Sequence, residues 1–258
     1  LDRGRVLLPC ASLLPPRCPV TIRTALHDYY DGTTHLRASV AWDDARRAPL
    51  PGVLVAHAWR GRTEFEDQKA IALAELGYVG FALDMYGAGI RGTSPAESAA
   101  LMQPFLDDRA MLQGRMQLAL AELCSLEQVD EQQTAAIGFC FGGLCVLDLA
   151  RSGANVDGVV SFHGLLEPPG NTGDRRIRAQ ILLMHGWDDP MAKPEAVIAL
   201  GKELSAQQAD WQLHAFGSTL HAFTNPVAAD PDNGLQYDAN ADRRSWLGMQ
   251  HFLNEVFP

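Results

Sequence analysis

The sequence predicts an α/β protein with a mostly parallel central sheet of about eight strands, an antiparallel hairpin at its start and helices on both faces. Three observations lead there. Short β-rich runs alternate with helix-length segments from residue 24 to the end. The runs from residue 52 onward are mostly continuous apolar stretches, the pattern of strands covered on both faces. Between the first two runs stands Asp31-Gly32, a hairpin signal.

Taken in order, the strands are expected at about 24–30, 34–42, 52–57, 78–83, 133–139, 156–162, 179–185 and 211–216. Helices are expected near 64–76, 96–106, 107–127, 141–152, 193–206 and 238–256. A strand, a helix and a strand in succession make a right-handed crossover, so the strands joined this way run parallel. The 258 residues, 47% of them hydrophobic, suffice for one sizeable core, and no Pro/Gly-rich linker divides the chain after residue 22. One domain over 23–258 is expected. In residues 1–22, Pro9, Pro15, Pro16 and Pro19 interrupt Val6, Leu7, Leu8, Leu13 and Leu14, which leaves a signal peptide no unbroken apolar run. That stretch reads as a leader or added extension.

Composition narrows the partners. The formal net charge is -10, from 31 acidic against 21 basic residues, and no Lys/Arg run offers a patch for a nucleic-acid backbone. No stretch approaches the roughly 20 continuous apolar residues of a membrane helix, so a cytoplasmic protein without a membrane partner is expected. Cys10, Cys18, Cys124, Cys140 and Cys145 are odd in number and lack C-x-x-C spacing, which argues for reduced thiols rather than a disulfide framework or a zinc site.

The chemistry concentrates in Ile137-Gly138-Phe139-Cys140-Phe141-Gly142-Gly143-Leu144, an apolar strand, a glycine-flanked turn and an apolar helix. This is the nucleophile-elbow pattern of the α/β-hydrolase fold with Cys140 as nucleophile. The flanking glycines let a strained turn close on itself. The helix that follows favours a thiolate at its N-terminus. An elbow nucleophile takes an acid and then a histidine, in that chain order. Met184-His185-Gly186-Trp187-Asp188-Asp189-Pro190 supplies the acid loop, with Asp189 preferred over Asp188 because Pro190 fixes the turn after it. Among His57, His163, His185 and His221, all near strand ends, only His221 follows the acid loop. Cys124 and Cys145 lack the glycine flanks and read as core.

Oxyanion stabilisation is expected from the backbone N–H of Phe141 and from that of Trp59, in the loop after the third strand. Gly87-Ala88-Gly89-Ile90-Arg91-Gly92 matches the dinucleotide fingerprint G-x-G-x-x-G, yet it follows a later strand and Thr93-Ser94-Pro95 separates it from the next helix. It reads as a loop bordering the cleft, without a cofactor.

These pieces, together with Gly77-Tyr78-Val79-Gly80-Phe81-Ala82-Leu83-Asp84-Met85-Tyr86-Gly87 and His221-Ala222-Phe223-Thr224-Asn225-Pro226, resemble the dienelactone hydrolase family. The resemblance covers roughly residues 24 to 258. It implies a cofactor-independent hydrolase of small-molecule esters or lactones, with phosphotriesters as an alternative substrate class. Arg91, Trp187 and Phe223 are the expected substrate contacts. One departure stands out: the Glu that such enzymes usually carry in the loop after the third strand is Ala58 here. A binding protein that keeps the fold without catalysis is the alternative from another class.

Overall fold

The computed structural model describes residues 20–173 and 175–257. The chain forms β1 (Ile22–Asp31), β2 (Thr34–Asp43), β3 (Leu50–Ala56), α1 (Glu64–Leu76), β4 (Val79–Ala82), α2 (Pro95–Asp107), α3 (Arg109–Cys124) and β5 (Val129–Phe139). It continues with α4 (Phe141–Arg151), β6 (Gly158–Phe162), β7 (Gln180–Gly186), α5 (Pro194–Ala206), β8 (Trp211–Phe216), β9 (Ala229–Asp230), β10 (Leu235–Gln236) and α6 (Ala239–Val256). Eight strands make the main sheet in the order β1-β2-β4-β3-β5-β6-β7-β8. β1 and β2 pair antiparallel, β2 meets β4 antiparallel, and every other pairing within this sheet is parallel. The expected α/β-hydrolase architecture is the observed one. The leader expected over 1–22 lies, as far as residue 19, outside the described residues.

Both faces of the sheet are covered because side chains alternate along each strand. On β3, Leu54 and Ala56 join a core that includes Met116 of α3, Leu147 of α4 and Leu200 of α5. Val53 and Val55 point the other way, into a core shared with Leu73 of α1 and Phe252 of α6. All four β3 residues are fully buried. Each Val or Leu so buried contributes about 1.5–3 kcal/mol relative to an exposed position.

Local signals fix the helix ends. Thr63 caps α1, and its partner three residues on, Glu66, returns a carboxylate oxygen to the Thr63 N–H at 2.8 Å. Gly77, with a φ of 105°, ends the same helix in the left-handed conformation. Pro95 and Pro194 open α2 and α5, where a missing N–H costs nothing. Among the described residues no helix is long and apolar enough to cross a membrane.

Parallel strands put all their carboxyl ends on one side, where loops collect. The loops after β3, β5, β7 and β8 carry Trp59, Cys140, Asp189 and His221 respectively.

Candidate active site

Cys140 occupies the turn between β5 and α4 with φ 56° and ψ -115°, a conformation side chains rarely adopt. The glycines around it have no room for anything larger. A Cβ on Gly138 would lie 2.0 Å from the Gly142 carbonyl oxygen, and one on Gly142 would lie 2.1 Å from that of Ala56. A Cβ on Gly143 would meet Gly164 at 2.6 Å. The turn therefore presses against β3 on one side and the loop after β6 on the other. Cys140 is half-buried, whereas Cys145, one helical turn on, is fully buried, and burial pushes its thiol pKa well up.

Asp189 and His221 meet beneath the surface. His221 donates from Nδ1 to Oδ2 of Asp189 at 2.7 Å, and both side chains are buried. The second carboxylate oxygen of Asp189 accepts the Met191 N–H at 2.8 Å, which fixes the carboxylate plane. Asp188 is exposed and makes no side-chain hydrogen bond among the described residues. The two loops touch at Gly186, where a Cβ would lie 2.6 Å from the Thr219 carbonyl oxygen. His221 is pinned at its backbone as well: its N–H donates to Gly234 and its carbonyl accepts from Gln236.

With Nδ1 engaged, His221 has a buried Nε2 that finds no hydrogen-bond partner of full geometry among the described residues. Burial opposes a charge on this ring. The charge of Cys140, the hydrogen bond to Asp189 and the charge of Asp189 outweigh burial and raise the His221 pKa to about 10. Cys140 and His221 are thus electrostatic neighbours.

A second histidine braces this pair. His163, with φ 39°, packs edge-on to His221 with ring centres 5.0 Å apart. Cys140 donates its N–H to the Phe162 carbonyl at 3.0 Å and to Nδ1 of His163 at 3.2 Å. The proton of the neutral ring is then on Nε2, which donates to Thr224 Oγ1 at 2.8 Å.

The Phe141 and Trp59 N–H groups have no hydrogen-bond partner among the described residues. They come from adjacent segments, because the end of β3 lies against the start of α4 at Gly142. Two free N–H groups beside a nucleophile can hold a developing negative charge.

The expected substrate contacts fare differently. Arg91 is exposed, on a loop that lies against Gly61 and is tied by the Gly92 N–H to the Arg60 carbonyl at 2.9 Å. Trp187 is 42% exposed and lines a groove with Val197, Ile198, Trp211 and Leu213, on the α5 and β8 side. Phe223 needs correction. Its side chain is fully buried against His163 and Phe216, in the core on the α6 face, and offers no surface to a substrate.

Sequence reasoning weighed His57 and His163 only as candidate triad bases and gave Glu66 and Tyr86 no role. Only Glu66 left a local trace, as the third residue after Thr63 in a capping box. It is buried and accepts the Ala58 N–H at 3.3 Å, so a carboxylate does approach the loop that carries Ala58.

Comparison with known proteins agrees with this architecture. The family model for the dienelactone hydrolase family matches residues 36–257. A dienelactone hydrolase-like promiscuous phosphotriesterase from metagenomic libraries superposes with a TM-score of 0.87 at 37% identity, covering 92% of this chain and 99% of that one. An uncharacterized Caenorhabditis elegans protein is 38% identical over 154 residues, 58% of this chain and 98% of its own length. A probable 2-oxo-3-(5-oxofuran-2-ylidene)propanoate lactonase of Bradyrhizobium is 28% identical over 67% of this chain and 73% of its own length. The chain is therefore a hydrolase belonging to the dienelactone hydrolase family.

Proposed function

We propose that the protein hydrolyses small carboxylic esters or lactones through a covalent Cys140 intermediate, with His221 as base and Asp189 as the residue that orients it. The observation that carries this is the His221 ring, anchored to Asp189 through Nδ1 and left with a bare Nε2 beside the Cys140 turn. His221 holds on Nε2 the proton given up by Cys140, and the thiolate attacks the carbonyl carbon. The carbonyl electrons move to oxygen, where the Phe141 and Trp59 N–H groups receive the charge. Collapse expels the alcohol oxygen, which leaves with the proton from His221, and a thioester remains. Water then gives a proton to His221 and attacks the thioester. Breakdown of that adduct releases the acid and restores the Cys140 thiolate beside protonated His221. Asp189 keeps its charge throughout and holds the proton of the resting ring on Nδ1.

A second substrate class is favoured by the likeness to the promiscuous phosphotriesterase over nearly the whole chain. Sulfur attack at phosphorus would expel an alcohol or phenol and leave a phosphorylated Cys140, with the same donors on the phosphoryl oxygen.

Mass spectrometry of enzyme quenched during turnover of a p-nitrophenyl ester, and separately of a neutral phosphotriester, tests both. An acyl or phosphoryl mass on the peptide containing Cys140 is expected, together with loss of turnover in Cys140→Ala. Turnover by Cys140→Ala close to that of the unmodified enzyme would overturn the assignment.

A further inference from the structure

The Trp59 N–H belongs to the peptide whose carbonyl is that of Ala58, and this carbonyl is held from the far side. It accepts Nδ1–H of His57 at 2.7 Å and the Gly61 N–H at 3.1 Å. His57 is fully buried, and its Nε2 accepts the Met85 N–H at 3.1 Å. Because Nε2 accepts, the one proton of the neutral ring must be on Nδ1, facing Ala58. Burial, the leading influence, pushes the His57 pKa down, which keeps the ring neutral and Nε2 able to accept.

The neighbouring peptides are pinned too. The Ala58 N–H donates to buried Glu66, and Tyr86 donates its hydroxyl proton to the Trp59 carbonyl at 3.0 Å. The Tyr86 ring in turn packs edge-on to the His57 ring at 4.8 Å. In a trans peptide the carbonyl and the N–H point to opposite sides, so a fixed carbonyl fixes the direction of the N–H. The Trp59 N–H itself has no hydrogen-bond partner among the described residues. Turning the peptide over would aim the Ala58 carbonyl oxygen where Trp59 now aims a donor, and would meet the developing oxyanion with like charge.

We propose that His57 is a positioning residue that locks the Ala58–Trp59 peptide with its N–H turned toward the reacting oxygen, so that the oxyanion site is preformed. The inference rests on the covalent mechanism above and deepens it. Its signature is a loss confined to steps that develop an oxyanion.

Three measurements on His57→Leu and His57→Asn test it. The first is kcat and KM on a p-nitrophenyl ester. The second is inhibition by an alkyl trifluoromethyl ketone, whose thiol adduct carries an oxyanion. The third is alkylation of Cys140 by iodoacetamide, a displacement that forms none. In His57→Leu, kcat should fall about ten- to a hundredfold while KM stays within about twofold. Trifluoromethyl ketone affinity should fall in proportion to kcat, and the alkylation rate should hold. His57→Asn, whose amide N–H sits near the Nδ1 position, should recover most of the loss. Should His57→Leu not fold, His57→Gln replaces it, since its amide reaches toward Met85 rather than Ala58. Unchanged kcat in a folded variant lacking the Ala58 donor would overturn the lock, as would a parallel loss of alkylation or an Asn variant no better than Leu. An active Cys140→Ala would instead overturn the covalent mechanism. An inactive Cys140→Ala beside a fully active His57→Leu would remove the lock alone.

Discussion

Nδ1 of His163 accepts the backbone N–H of Cys140 at 3.2 Å, joining the end of β6 to the strained turn between β5 and α4. Nε2 of the same ring donates to Thr224, three residues beyond His221. One buried imidazole therefore spans the two loops that must stay in register. Thr224→Val keeps the shape of the side chain and removes the acceptor, leaving a buried N–H bare. A loss of about 1–3 kcal/mol in urea unfolding is expected, with Thr224→Ser close to the unmodified protein. Equal stability of Thr224→Val and the unmodified protein would show that the bond is not needed.

Two glycines with opposite surroundings give a paired test. At Gly138 an added methyl would collide with the Gly142 carbonyl, which is backbone and cannot swing aside. Gly138→Ala is expected to lose about 4 kcal/mol or more, or not to accumulate as folded protein. Gly114 is exposed on α3, and a Cβ there meets nothing within 4 Å. Gly114→Ala should gain about 0.5–1 kcal/mol, because it relieves the entropy cost of glycine inside a helix. Urea midpoints of the two variants moving in the same direction would contradict the steric account.

The contrast between those glycines also marks how far the sequence could be read. Elements with strong local signals, such as α1 with its capping box and α4 with its elbow, lie where the apolar pattern puts them. β5 starts earlier than the expected residue 133, at Val129, because Asp130, Glu131, Gln132 and Gln133 hide its first turn of pairing. There Leu50 and Pro51 pair with Val129 and Asp130 before the register shifts. The two-residue strands β9 and β10 are too short to show any period. In the site, Cys140, Asp189 and His221 each stand in a local motif. His57 and His163 do not: their protons are assigned by Met85, Ala58, Cys140 and Thr224, which converge only in three dimensions. Phe223 misled for the same reason, since being next to His221 along the chain does not tell which face its ring takes. His214, inside β8, and His251, inside α6, are exposed and make no side-chain hydrogen bond among the described residues.

Two adjacent carboxylates separate the orienting acid from its neighbour. Asp189 reaches His221 Nδ1, whereas Asp188 faces solvent. Asp189→Asn keeps the volume but removes the charge and lets the ring settle with the wrong nitrogen protonated. A drop in kcat of about a hundred- to ten-thousandfold is expected, by analogy with the effect of such a change in other triads. Asp188→Asn should leave kcat within about twofold. The reverse ranking in a p-nitrophenyl ester assay would transfer the role to Asp188.

Stability should depend on pH in a way the buried imidazoles dictate. Burial is the leading cause that depresses the pKa of His57, His163 and His185 in the folded chain. Below about pH 6.5 the unfolded chain takes up protons that these folded rings refuse. Their contribution is thus complete above that value and is lost as pH falls through the folded-state pKa values. His221 has the opposite sign. Its raised pKa of about 10 gives a contribution complete below about pH 6.5, and lost as pH rises through the folded value. The urea midpoint should therefore fall between about pH 7 and pH 5, a window above the lowered carboxylates Asp43 and Glu97. His185→Gln should fall less steeply there, because that ring has an unpartnered Nε2 and its replacement removes a titration without breaking a bond at that atom. On the alkaline side Cys140→Ser, which takes away the charge that most raises His221, should flatten the decline. A decline from pH 7 to pH 5 in His185→Gln as steep as in the unmodified protein, the carboxyls Asp148 and Asp242 raised by burial being common to both, would mean that this imidazole takes up protons in the folded protein as readily as in the unfolded chain.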